Sequence, residues 1–172
     1  MKKPKRITNK QAEKVRKYLS YKDRLIFDFS IETGLRISDV LNIKAYQLRK
    51  KMKIRESKTK KIKAVEISDG LFLRLKDFIS RDKNVYAFSS PRTRYKHLHR
   101  STYHLHLKKA YKLSGVNLSA HSARKLYAMN IFRESGRDIF KVQRALNHKY
   151  VSTTCTYLDI DYKKLIRKAA KL

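Results

Sequence analysis

Four separated stretches carry guanidinium, imidazole and phenol side chains, types able to hold an anion or to move a proton. In Thr33-Gly34-Leu35-Arg36-Ile37-Ser38-Asp39-Val40-Leu41, a glycine-containing turn precedes Arg36, which opens a helix whose next apolar residues point inward. A guanidinium there would lie beside free backbone N–H groups, and both attract phosphate. The bland alternative is an arginine on a solvated first turn. In His121-Ser122-Ala123-Arg124, an imidazole and a guanidinium stand at i and i+3 on one helix face. Ala123, Tyr127 and Ile131 form the neighbouring apolar stripe, so His121 and Arg124 are expected at the edge of the core, held but not buried. Leu146-Asn147-His148 ends a further helix, and Tyr157 follows nine residues after His148. A single tyrosine among 11 carries little weight alone.

These residues need elements to position them. Thr8 is the expected N-cap of a helix to about Leu19. Asp23 is the expected cap of the next one, in which Leu25, Ile26, Phe27, Phe29 and Ile31 leave little polar face, so it is buried on most sides. Thr33-Gly34 breaks that helix, and Ile37, Val40 and Leu41 form the inner stripe of another. Between residues 51 and 67 the period changes. Met52 and Ile54 alternate with Lys53 and Arg55, a second run spans Ile62 to Ile67, and Ser57 to Lys61 is a polar turn. This pattern predicts an antiparallel hairpin. Helical spacing resumes over 69–81. A third short strand is expected at 85–88 and a basic loop over 89–100. Further helices are expected from Ser101 to Ser114, from a Ser119 cap to Gly136, from an Asp138 cap to Asn147, and from Ser152. A helical tail follows from about 161. The fold class is therefore α+β, mainly helical, with a small antiparallel sheet. Residues 1–7 read as a basic flexible lead-in and 8–172 as one domain.

Lys and Arg total 44 against 14 Asp and Glu, a formal net charge of +30. A compact body with that excess repels itself unless it meets a polyanion. Nucleic acid is the first choice of partner, and an anionic membrane the weaker one. Arg92, Arg94, Lys96 and Arg100 of the basic loop, with Lys60 of the hairpin turn, are the expected DNA contacts. Cys155 is the only cysteine, so no internal disulfide and no zinc finger can form, and a reducing, intracellular setting is implied. No apolar stretch follows the basic Met1 to Arg6, so a secretory signal is not expected there, and no apolar run in the sequence reaches membrane-spanning length. The pairs His97/His99 and His104/His106 are spaced i, i+2, which on a helix do not face the same way. No cysteine or carboxylate joins them, so no metal site is expected.

In order and spacing, the stretches TGLRISD, HSAR and LNHKYVSTTCTY resemble the boxes T-G-x-R-x-x-E, H-x-x-R and L-G-H…Tyr of the tyrosine recombinases, the phage integrase family. The likeness runs from about residue 8 to 162. It implies a helical DNA breaking-rejoining fold and a site-specific recombinase acting on double-stranded DNA through a 3′-phosphotyrosyl intermediate, in the cytoplasm. It implies Tyr157 as nucleophile, Arg36 and Arg124 as clamps on the phosphate oxygens, His121 as proton acceptor and His148 as hydrogen-bond donor. The family's turn lysine falls on Lys58 of ESKTKK, with Lys60 and Lys61 close by, and would be the general acid. Neither ATP nor a metal cofactor is implied. Asn147 replaces the glycine of the third box and is the next-best residue for a left-handed helix end. Asp39 stands where glutamate is common and is expected to pair with a basic neighbour. A homo-tetramer on DNA, monomeric in solution, is the implied assembly. Leu165, Ile166 and Ala169 of the tail would pack on a neighbouring subunit or on their own core. The chain is expected to lack the family's N-terminal clamping domain. A type IB topoisomerase and a non-catalytic DNA-binding regulator on the same fold are the alternatives.

Overall fold

The structure is a computed structural model that describes residues 6–80, 85–162 and 167, with Arg94 described in its backbone only. The expected tail helix, with Leu165, Ile166 and Ala169, and most of the basic lead-in lie outside the described residues.

Helix α1 (Asn9–Arg16) starts as expected. Thr8 accepts a hydrogen bond from the Gln11 N–H, and the Gln11 side chain returns one to Thr8. Helix α2 (Tyr21–Thr33) is capped by Ser20, not Asp23. Asp23 sits one turn in, where its carboxylate accepts from the Ser20 hydroxyl. The expected burial holds: Leu25, Ile26, Phe27 and Phe29 are fully enclosed, and α2 is the central post of the larger core. Gly34 ends it with φ 61°, and Arg36 caps the one-turn helix α3 (Ile37–Leu41).

Strands β1 (Lys51–Arg55) and β2 (Ile62–Glu66) form the expected antiparallel hairpin, with Lys51 opposite Glu66 and Arg55 opposite Ile62. Alternation sends Met52, Ile54 and Val65 inward and Ile62 outward. The same parity drives Glu56 and Lys63 inward, where both are buried. Helix α4 (Asp69–Ser80) follows.

The strand expected at 85–88 is absent. Only an isolated bridge between Tyr86 and Lys44 marks that stretch. The second hairpin instead lies in the supposed loop, as β3 (Ser89–Ser90) and β4 (Thr93–His97). Helix α5 (Arg100–Ser114) is capped by His99 rather than Ser101, and Gly115 ends it in the left-handed region. Helix α6 (Ser122–Glu134) is capped by His121, with Ser119 in the turn before it. Asp138 caps α7 (Ile139–Ala145) as expected. Helix α8 (Val151–Leu158) begins at Tyr150. Helices α6, α7 and α8 share a smaller apolar cluster of Ala128, Val142, Leu146 and Leu158, which seats Tyr157 against α6. No described helix is long and apolar enough to cross a membrane.

Candidate active site

Gly34 sets the first wall of the site. Its left-handed backbone turns the chain toward Arg36, and its Cα faces the Tyr127 ring, where an added Cβ would lie 2.2 Å from Cδ1. Only glycine meets both conditions. The Gly34 carbonyl accepts a 2.5 Å hydrogen bond from Arg124 Nη1, and the Leu146 carbonyl accepts one from Nη2 at 2.9 Å. Arg124 thereby satisfies the ends of α2 and α7 together. It is buried, with 2% of its surface exposed, and so does not stand at the core's edge as the sequence spacing suggested. The carbonyls explain how a guanidinium can be that deep.

Arg36 is neither solvated nor left to a bare helix end. Its Nη1 donates to Glu56 Oε1 at 2.7 Å. Arg124 Nη1 lies 3.5 Å from the same oxygen. Two guanidinium groups from opposite ends of the sequence therefore converge on one fully buried carboxylate. Burial raises the Glu56 pKa, but Thr59, Arg36, Arg124 and Asn147 together hold it below the usual carboxylate range. Sequence reasoning missed this residue. The signal was the parity of Met52 and Ile54, which places Glu56 inward one step past the strand.

The turn between β1 and β2 is pinned on both sides of Lys58. Asp39 Oδ1 accepts from the Ser57 N–H at 2.9 Å and from its hydroxyl at 2.6 Å. Asp39 therefore holds the turn instead of pairing with a basic neighbour. Thr59 donates to Glu56 Oε2 at 2.7 Å, and the Lys60 N–H reaches the Glu56 carbonyl at 2.9 Å with Lys60 at φ 58°. Lys58 and Lys60 are exposed.

His121 is open to solvent at the start of α6. Its pKa is lowered by partial burial first, then by the charges of Arg124, Arg100, Arg36 and Lys58. Asn147 adopts φ 53°, the left-handed end expected of it, and its amide reaches toward Glu56 Oε2 at 3.5 Å. His148 Nδ1 pairs with the Thr154 hydroxyl at 3.0 Å, and its ring meets Tyr157 edge-on at 5.6 Å between centroids. Burial, then Arg124 and Arg36, push the His148 pKa down to about 4, so the imidazole is neutral at pH 7. The Tyr157 hydroxyl is buried without a well-formed hydrogen bond among the described residues. Burial raises its pKa, and Arg124 and Arg36 are near enough to oppose that rise.

Of the six candidate catalytic groups, Arg36 and Arg124 thus meet on one carboxylate, His148 and Tyr157 pack together within reach of their charges, and the Lys58 turn borders them through Thr59; His121 stands at the start of the helix that carries Arg124. Of the candidate DNA contacts, Arg92, Lys96 and Arg100 are exposed on or beside the second hairpin. Arg94 lies on β4. The hairpin and the start of α5 enclose a cavity of about 580 Å³ lined by Arg92, Tyr95, Lys96, His97 and His99. Among the described residues, no group of three or more His, Cys, Asp or Glu side chains gathers as metal ligands would.

Residues 5–164 match the phage integrase family. The chain is 33% identical over 158 residues to the probable integrase/recombinase YoeC of Bacillus subtilis, covering 88% of this chain and 86% of that one. It is 28% identical to the tyrosine recombinase XerA of Pyrococcus furiosus over 94% of its own length, but spans only 59% of that relative. Among solved structures, the XerA recombinase superposes over 99% of this chain and 66% of its own, with TM-score 0.78 and 20% identity. A lambda integrase dimer on a core site superposes with TM-score 0.71 and 20% identity, covering 88% of this chain and 58% of that one. These likenesses establish the fold.

Proposed function

The chain belongs to the phage integrase family, and from that premise we propose that it cuts and rejoins double-stranded DNA through a covalent bond between Tyr157 and a phosphate. The observation that carries this reading is the convergence of Arg36 and Arg124 on one point, 2.7 and 3.5 Å from a single carboxylate oxygen, with Tyr157 packed beside them on His148.

A phosphodiester repels nucleophiles, and charge on its non-bridging oxygens grows as phosphorus becomes five-coordinate. Arg36 and Arg124 would hold those two oxygens, with bonds that strengthen in the transition state. The Tyr157 oxygen attacks phosphorus, and His121 takes its proton. The lowered pKa of His121 keeps that imidazole neutral and able to accept. Neutral His148 donates a hydrogen bond to a phosphate oxygen. The bond to the 5′ oxygen breaks, and Lys58 gives that oxygen a proton. A 3′-phosphotyrosine and a 5′-hydroxyl result. Attack by a 5′-hydroxyl of another strand releases the tyrosine and completes exchange. The phosphotyrosyl bond conserves the energy of the broken ester, so rejoining needs no ATP.

Arg92, Arg94, Lys96, Arg100 and Lys60 would follow the DNA backbone. Lambda integrase has been seen as a tetramer on a Holliday junction, and a tetramer on DNA is the assembly we propose for this chain.

A nicked suicide duplex that traps the intermediate tests the proposal. The wild type should give an SDS-resistant protein–DNA adduct, and Tyr157→Phe none. Arg36→Ala and Arg124→Ala should still bind DNA but cleave at least about 100-fold more slowly. Near-normal cleavage by both arginine variants would overturn the clamp.

A further inference from the structure

Glu56 is an ionised carboxylate at the floor of a site built to attract a phosphate. It has no exposed surface, and so cannot meet DNA itself. Yet its two oxygens reach four side chains in or beside the site. Oε1 holds Arg36 at 2.7 Å and faces Arg124 at 3.5 Å. Oε2 accepts from Thr59, beside Lys58, at 2.7 Å and faces Asn147, beside His148, at 3.5 Å. Its backbone closes the lysine turn at both ends, with Glu56 N–H to the Lys61 carbonyl and Lys60 N–H to the Glu56 carbonyl, both 2.9 Å. Desolvation strongly disfavours a buried carboxylate unless it is well paired. Satisfying only the β1–β2 turn would not require a charge that deep, because Asp39 already secures that turn from the other side through Ser57.

The charge has a second effect. Arg36, Arg124 and the buried Lys63 lie close together: beyond the effect of burial, the charges of Arg124 and Arg36 lower the Lys63 pKa, and that of Arg36 lowers the Arg124 pKa. Arg124 is fixed by its two carbonyls, but without a counter-charge Arg36 would be repelled from it before any phosphate arrived. With one, both stay gathered on a single carboxylate oxygen.

We infer that Glu56 is a positioning residue for strand cleavage, holding Arg36 and Arg124 together and tying the Lys58 turn and the His148 segment to them before DNA binds. It touches neither phosphate nor sugar. It acts through the four groups it orients, so its loss should lower the rate of the chemical step far more than affinity for DNA.

This inference rests on the proposed strand cleavage, and the test keeps the two apart. Wild-type protein on the nicked duplex first establishes adduct formation; if no adduct forms, the proposed function itself fails. Given an adduct, Glu56→Gln keeps the shape and removes the charge. Single-turnover cleavage at saturating DNA should fall on the order of 100-fold, the scale of a misplacement of about 1 Å, while the Kd for DNA changes less than about threefold. Competition by orthovanadate, which mimics five-coordinate phosphorus, should weaken in parallel with the rate. Glu56→Asp, one methylene short, should recover part of the rate. Should Glu56→Gln fold poorly, Thr59→Val keeps the charge and removes one tether; its rate should fall several-fold at unchanged melting temperature. Wild-type cleavage by a folded Glu56→Gln protein, or by Thr59→Val where Glu56→Gln does not fold, would overturn the assignment, as would equal losses in rate and DNA affinity.

Discussion

Replacing Gly34 with alanine tests whether the first sequence box works through packing against α6. Gly34 has φ 61°, where an L-residue costs about 1–2 kcal/mol. The new Cβ would lie 2.2, 2.4 and 2.7 Å from Cδ1, Cε1 and Cγ of Tyr127. Carbon atoms in contact prefer about 3.5–4.0 Å, so the ring or the helix carrying it must retreat by roughly 1.3 Å or more. Overpacking of this kind costs about 1–3 kcal/mol. The whole penalty should therefore be about 2–5 kcal/mol, read as a lowered midpoint in urea unfolding. Arg124 rides on α6 and hydrogen-bonds the Gly34 carbonyl at 2.5 Å, so the same retreat moves one guanidinium away from the other. A shift near 1 Å predicts single-turnover cleavage slower by about 100-fold. A double-mutant cycle isolates the cause. In a Tyr127→Ala background the clash is gone, and Gly34→Ala should cost only the backbone share of about 1–2 kcal/mol. An equal cost in both backgrounds would refute the packing argument, and wild-type stability and cleavage in the single variant would refute the whole chain of reasoning.

Other perturbations have equally definite outcomes. The His148 pKa is about 4 in the folded protein against ~6.5 unfolded. The unfolded chain thus binds the proton first, and stability should fall as pH drops through that window, less so in His148→Gln. Lys63 is buried with its pKa pushed down to about 7, by desolvation first and then by Arg124, against ~10.4 unfolded. The unfolded chain holds more protons between those values, so stability should rise with pH across them, and Lys63→Met should flatten that rise in urea titrations at pH 7 and 9. Asp159 accepts from Lys125 at 2.9 Å and from Arg6 at 2.6 Å just past the helix that carries Tyr157. Asp159→Asn should cost about 1–3 kcal/mol and speed amide exchange in α8. Removing Arg92, Lys96 and Arg100 together should reduce the slope of log K against log salt by about 2.7, or about 0.9 for each phosphate no longer neutralised.

Much of this was legible in the sequence because it depends on local rules. Thr8 followed by Gln11 fixes a helix start. Apolar residues on every side of α2 leave it nowhere but the core. Gly34 and Asn147 mark left-handed turns. The hairpin at 51–66 follows from alternation. What stayed hidden depends on tertiary partners. Arg124 could be buried only because two helix ends offered carbonyls, and no i+3 spacing reveals that. Glu56 and Lys63 flank the charged turn of 57–61, and their charge hid what strand parity implied, that both lie inside. Asp39 found Ser57 rather than a cation, since the turn needed an acceptor more than an ion pair. The second hairpin was mistaken for a loop because Arg92, Arg94 and Lys96 mask its short strands, and its pairing involves only Ser89 with His97 and Ser90 with Thr93.

The most direct test of the account is to find which atom joins the DNA. Protein trapped on the nicked duplex, digested with nuclease and trypsin, should carry its nucleotide remnant on the peptide that begins at Tyr150. Fragmentation of that peptide should place the phosphodiester on Tyr157. A remnant on Tyr150, on Tyr162 or on any residue outside α8 would contradict the arrangement of the two arginines and the phenol described above.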